Sequence, residues 1–120
     1  MTRLKVCCIS SIEEAMMAIR YGASALGLVS SMPSGPGVIN EELIEEIALK
    51  IPPGISTFLL TSLKDSKEII AQQKRCKTNT IQICDRLTSG SYSDFRRELP
   101  GIKIVQVVHV TGEESIEEAI

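Results

Sequence analysis

The stretch Leu4-Lys-Val-Cys-Cys-Ile-Ser-Ser-Ile-Glu-Glu-Ala-Met-Met-Ala-Ile-Arg-Tyr-Gly-Ala-Ser-Ala-Leu-Gly-Leu-Val29 reads as strand, helix, strand. Leu4 to Ile9 is a short apolar run suited to a buried strand. Ser11-Ile-Glu-Glu14 has the pattern of a capping box, with Ser11 accepting from a first-turn amide and Glu14 reaching back to the cap. Ile12, Ala15, Met16 and Ile19 then share one helical face. Tyr21-Gly22 closes the helix, since glycine supplies the left-handed residue of a helix stop. Ala25 to Val29 is the second strand. Side chains alternate along a strand, so Cys7 and Cys8 are expected on opposite faces, with Cys8 packed towards the helices.

The same unit recurs downstream. Ser30 to Gly37 is a loop rich in Gly and Pro. Asn40 caps a helix from Glu41 to Lys50 with Leu43, Ile44, Ile47 and Ala48 on its apolar face, and Pro52-Pro53-Gly54 stops it. Ile55 to Leu60 is a third strand. Thr61 to Asp65 leads into a helix running to about Arg75. Thr80 to Cys84 is a fourth strand. Ser91 or Ser93 caps a short helix ending near Leu99-Pro100-Gly101, and Ile102 to Val110 is a fifth strand. Thr111-Gly-Glu-Glu114 opens another helix, whose Ile116, Ala119 and Ile120 need a partner surface.

Strands alternating with amphipathic helices imply an α/β fold with parallel pairing and right-handed crossovers. A doubly wound sheet and a (β/α) barrel both suit this order. No GxGxxG follows the first strand, which counts against dinucleotide binding. The regular unit length favours the barrel of TIM type. The chain carries about five βα units, against the eight units and ~250 residues of a complete (β/α)8 barrel. Residues 1–120 are therefore expected to form a single partial barrel, its N-terminal half, incomplete at the C-terminus.

Composition narrows the function. The 120 residues are 43% hydrophobic and 23% charged, with net charge −2, the profile of a globular rather than a disordered chain. Without a basic surplus there is nothing to neutralise a phosphate backbone, so nucleic acid is not an expected partner. No apolar run is long enough to cross a membrane, and the start lacks the pattern of a signal peptide. A cytoplasmic setting is expected, with the four cysteines as thiols. Aromatic content of 3% and the absence of Trp make the core aliphatic. The acidic pairs, from Glu13-Glu14 to Glu117-Glu118, sit mostly in first helical turns, where they complement the helix dipole.

In barrels the site lies at the C-terminal ends of the strands. That rule selects Cys7 and Cys8, the 30–37 loop, Thr61 and Ser62, Cys84 and Asp85, and His109 and Thr111. Cys7 has the chemistry of a base or nucleophile, which a thiol exerts through its thiolate; the plain alternative is a small core residue. The loop Pro33-Ser-Gly-Pro-Gly37 has the small residues that let backbone approach a phosphate, but lacks the Lys and Ser/Thr of a P-loop. Asp85 suits an acid, a base or a turn residue. His109, the single histidine, suits titration or structural packing in an apolar strand. Cys7, Cys84 and His109 are soft donors, but no CxxC spacing supports a metal site, and neither metal nor cofactor is expected.

These residues resemble the phosphoribosylanthranilate isomerase family. Leu4-Lys-Val-Cys-Cys-Ile-Ser-Ser11 is similar to the family's opening KICGIT, Glu13-Glu-Ala15 to its ED-A, Tyr21-Gly-Ala23 to its GAD, and Ala25-Leu-Gly27 to its ALGF. The resemblance runs through the Pro-containing loop, Pro52-Pro53, Gln82 and Lys103. It implies a (β/α)8 barrel of tryptophan biosynthesis, catalysing an Amadori rearrangement of an aminated ribose phosphate. It also implies that Cys7 is the general base that removes the C2′ proton after a general acid has opened the ring. The candidate substrate-binding positions are Gly35, Gly37, Cys84, Asp85 and His109.

Four departures accompany the resemblance. Cys8 stands where the family has glycine. Gly35-Pro36-Gly37 stands where the family's SPR supplies an arginine. Gln82-Ile-Cys-Asp85 stands for QLHG, so Cys84-Asp85 replaces His-Gly. The family's acid and phosphate-binding glycines belong to the second half of the barrel. Three readings follow: an isomerase (an intramolecular oxidoreductase) acting on a phosphorylated small molecule; a non-catalytic or substrate-divergent half-barrel that pairs through open strand edges, as a homodimer or with a completing second half; and a redox or metal role for Cys7, Cys8 and Cys84.

Overall fold

The computed structural model describes residues 3–32 and 37–107. Five strands alternate with four helices: β1 (Lys5–Val6), α1 (Ile12–Arg20), β2 (Ala25–Val29), α2 (Glu41–Lys50), β3 (Ser56–Thr61), α3 (Ser66–Cys76), β4 (Thr80–Ile83), α4 (Tyr92–Glu98) and β5 (Lys103–Gln106). All pairings are parallel, and the spatial order is β1-β2-β3-β4-β5. A doubly wound sheet reverses its strand order at a switch point. This sheet never does, so the ambiguity left by the sequence resolves to the barrel type.

Register sorts the side chains onto two faces. Leu26, Leu28, Leu59, Ile81 and Ile83 are fully buried on the outer face. Ala15, Ile44 and Ile47 meet the β2–β3 portion, and Ile69, Ile70, Phe95 and Leu99 meet β4. The inner face is more open: Lys5, Phe58 and Gln82 are half-buried and Val105 is 40% exposed.

Local signals explain the boundaries. Asn40 accepts from the Leu43 amide at 2.8 Å, and Asp65 from Lys67 at 3.0 Å. Ser11 accepts from Glu14 at 3.1 Å, but the Glu14 carboxylate takes the Ser10 hydroxyl instead of closing the expected box. Gly22, at φ +104°, ends α1. Ser91, not Ser93, is the N-cap of α4, where the Asp94 carboxylate accepts from the Ser91 amide. One acidic run gains a further role, since Glu41 pairs with Arg75 at 2.6 Å and ties α2 to α3. That hydrogen bond is the main cause holding the Glu41 carboxyl below its usual value.

The largest departure from expectation is β1. It spans two residues rather than Leu4 to Ile9. Val29 pairs with Leu60 on one side and Val38 on the other, so the returning 37–39 segment takes the place a longer β1 would hold. Cys8 leaves strand geometry at φ +60° and is exposed, so it is not packed towards the helices. The expected fifth strand continues as far as Gln106; the reading of residues 108–110 as strand and of 111–120 as helix lies outside the described residues.

Candidate functional site

Parallel pairing brings the ends of β1 to β5 to one rim. Cys7 follows β1 and is exposed. Its neighbour across the register is Gly27, where an added Cβ would lie 3.0 Å from the Cys7 Sγ and 3.2 Å from its Cα. Glycine there leaves the space the thiol occupies. Beside it, an added Cβ at Gly37 would lie 2.6 Å from the Cys8 Cβ, and Gly37 itself sits at φ +83°. Gly37 is thus laid directly on the Cys7–Cys8 turn. The Ile39 amide donates to the Val29 carbonyl at 2.9 Å and holds it there.

Beneath Cys7 lies a contact that motif reading missed. The Lys5 ammonium sits 4.2 Å from the centre of the Phe58 ring and donates to the Gln82 side-chain carbonyl. It spans the inner face from β1 to β4. The available signal was parity: Lys5 is two residues from Cys7 and shares its face.

Cys84 follows β4. Its amide donates to the Thr61 carbonyl at 3.0 Å, and its thiol lies 3.8 Å from the Gln82 carbonyl. Burial pushes this thiol up, the Asp85 charge adds to the effect, and Lys5 opposes it. Asp85 is half-buried, and its carbonyl accepts from Gln106 at 3.2 Å. The same Gln106 receives the Tyr92 hydroxyl at 2.6 Å, so α4, β5 and the Asp85 turn form one unit.

Other candidates at the strand ends are absorbed by structure. Thr61 is fully buried, and its hydroxyl accepts from the Leu63 amide at 3.2 Å. Ser30 donates to Leu60 at 2.7 Å, and Ser62 to Ser31 at 3.3 Å. Gly35, His109 and Thr111 lie outside the described residues. The structure therefore brings Cys7, Gly37, Cys84 and Asp85 to one rim. Among the described residues, no group of three His, Cys, Asp or Glu side chains is placed to hold a metal ion, and no helix is long and apolar enough to cross a membrane.

No family model matches the chain. It is 35% identical over 111 residues to "N-(5'-phosphoribosyl)anthranilate isomerase 2" of Methanosarcina mazei, covering 92% of this chain and 49% of that protein. It superposes on the crystal structure of phosphoribosyl anthranilate isomerase from Thermotoga maritima with a TM-score of 0.78 at 22% identity, covering 99% of this chain and 56% of that one. A similar match, TM-score 0.78 and 22% identity over 99% of this chain and 59% of that one, is to a phosphoribosyl anthranilate isomerase in complex with reduced 1-(o-carboxyphenylamino)-1-deoxyribulose 5-phosphate. The chain spans about half the length of the curated relatives it matches.

Proposed function

The chain belongs to the phosphoribosylanthranilate isomerase family, and we propose that it is the Cys7-bearing part of a barrel that performs the family's Amadori rearrangement. In this reading residues 1–120 are a single partial domain, and the substrate is a phosphorylated aminated ribose. Cys7 is the general base. Its thiolate takes the C2′ proton of the protonated, ring-opened Schiff base; the pair left on C2′ forms a C1′=C2′ double bond while the C=N π pair moves onto the nitrogen, giving the enolamine. The proton donor that opens the ring comes from outside the described residues.

The observation that carries the reading is the setting of Cys7: an exposed thiol at the end of β1, above the open inner face, with Gly27 pared back beside it. Gly37, Cys84 and Asp85 form the adjoining rim, where the substrate would be held. With Gly37 in place of the family's arginine, anion binding at that point relies on backbone amides rather than a guanidinium fork. Lys5 is not offered to the substrate, because Phe58 and Gln82 hold its ammonium.

The test is turnover of phosphoribosylanthranilate by this chain, alone and mixed with a fragment comprising the remainder of the Methanosarcina relative. Turnover is expected only in the mixture. Cys7→Ala is expected to lower kcat by about 10²–10⁴-fold, the usual span for a lost general base, with little change in KM. Full turnover by Cys7→Ala would overturn the assignment.

A second reading has its own support. Among the described residues β1 and β5 each have one strand neighbour. Beside β1, Leu4, Met17 and Tyr21 are exposed at 47%, 53% and 79% around an apolar groove of about 280 Å³. Such an edge suits pairing with another chain. Stable association without turnover in the mixture would favour a non-catalytic half-barrel.

A further inference from the structure

We propose that Cys7 and Cys8 form a vicinal dithiol switch, a reversible disulfide between chain neighbours at the end of β1. The two thiols are adjacent in the chain, and both are exposed. Cys8 has left strand geometry at φ +60°, so the alternation that sends two consecutive strand side chains to opposite faces does not govern this pair. The turn lies beyond the two residues of β1, and the Ile9 amide that follows it donates to the Gly27 carbonyl at 3.3 Å.

Cys84 is a poorer partner. It is half-buried, and its thiol lies 3.8 Å from the carbonyl of Gln82 on its own strand, whereas Cys7 and Cys8 are chain neighbours. Cys76 is fully buried among the helices.

The oxidant is a small-molecule disulfide. One thiolate of the pair attacks it, forming a mixed disulfide and releasing one small thiol. The second thiolate then attacks the protein sulfur of that bond and expels the other small thiol. The protein loses two protons and two electrons, and the oxidant gains both. Adjacent Cα atoms lie ~3.8 Å apart across a trans peptide, inside the ~4.4 Å at which ordinary disulfides begin. The bond is therefore strained and easily reduced, which suits a switch rather than a staple. Closure also pulls on Gly37, which lies on the Cys8 Cβ. The effect on catalysis rests on the reading of Cys7 as base; formation of the bond does not.

The test is to incubate the full chain with oxidised glutathione, digest it with trypsin without reduction, and weigh the peptides. Cleavage after Lys5 and Arg20 places both thiols in the peptide Val6–Arg20. That peptide is expected to lose two hydrogens, carry no glutathione, and recover its mass with dithiothreitol. Cys8→Gly, which suits the left-handed φ and so keeps the fold, is expected to retain one glutathione on Cys7. A wild-type chain that stops at the glutathione adduct overturns the proposal, as does a cross-link from this peptide to the one carrying Cys84. Because the readout is mass, it stands apart from turnover: a fully active Cys7→Ala would remove the catalytic reading and leave the bond untouched.

Discussion

Gly37→Ala tests whether the segment after β2 rests on the Cys7–Cys8 turn. The added methyl meets two separate penalties. Gly37 sits at φ +83°, where an L-residue costs about 1–2 kcal/mol. Its Cβ would also come within 2.6 Å of the Cys8 Cβ and 2.9 Å of the Cys8 Cα, an overlap that the turn must relieve by moving. Overpacking of this kind costs about 1–3 kcal/mol. The expected loss is therefore roughly 2–5 kcal/mol, read from the midpoint of urea unfolding at constant slope. Cys8→Gly alone is expected to be neutral or stabilising, because it removes a side chain from a left-handed residue. In the double variant the worse of the two contacts is gone while the backbone strain at position 37 remains. The cycle should thus show favourable coupling above about 0.5 kcal/mol, the level expected for residues in contact. A Gly37→Ala protein within 0.5 kcal/mol of wild type, an ordinary surface effect, would refute the packing; additivity in the cycle would refute the partner.

Three further outcomes are expected. Phe95→Ala should cost about 3–5 kcal/mol, as for a large ring removed from a core, because Phe95 is 1% exposed and joins α4 to β4; thermal unfolding checks this. Asp94 accepts from Ser66 at 2.6 Å, the main cause holding its carboxyl below the usual 3.8, and from the Ser91 amide. A folded value below the unfolded one means that this stabilisation is present above about pH 4 and fades as pH falls through the lowered value, so the gap in melting temperature between wild type and Asp94→Asn should narrow on acidification; a pH-independent gap would contradict the carboxylate's role. In thiol labelling, Cys7 and Cys8 should react first and Cys84 more slowly, while Cys76, which burial pushes up to about 12, should react only on unfolding.

Much of the architecture was legible in the chain because it rests on local rules. Asn40, Asp65 and Gly22 cap or stop helices through contacts within a few residues, and those contacts are written in the sequence. The helical period let Ala15, Ile44 and Ile47 be assigned to the core, whereas Met16, expected on the same face of α1, is 40% exposed. The end of β1 was harder. The apolar run Leu4 to Ile9 says strand at each position, but a strand also needs a neighbour, and Val38 occupies that place beside Val29. Cys8 accordingly turns to a conformation that local propensity disfavours.

The site divides along the same line. Sequence by itself placed Cys7, Cys84 and Asp85 just after strands, because the alternation of strands and helices is a one-dimensional pattern, and it carried the resemblance that singled out Cys7. Only the tertiary structure decided what each of those residues faces. It committed the Thr61 hydroxyl to the Leu63 amide, laid Gly37 on Cys8, and spanned β1 and β4 with Lys5 and Gln82, 77 positions apart in the chain. It also decided the unreversed strand order, and with it the barrel over the doubly wound sheet. Helix caps act over one turn of chain, whereas strand order and the partners of an inner-face side chain depend on distant segments meeting, which no local pattern encodes.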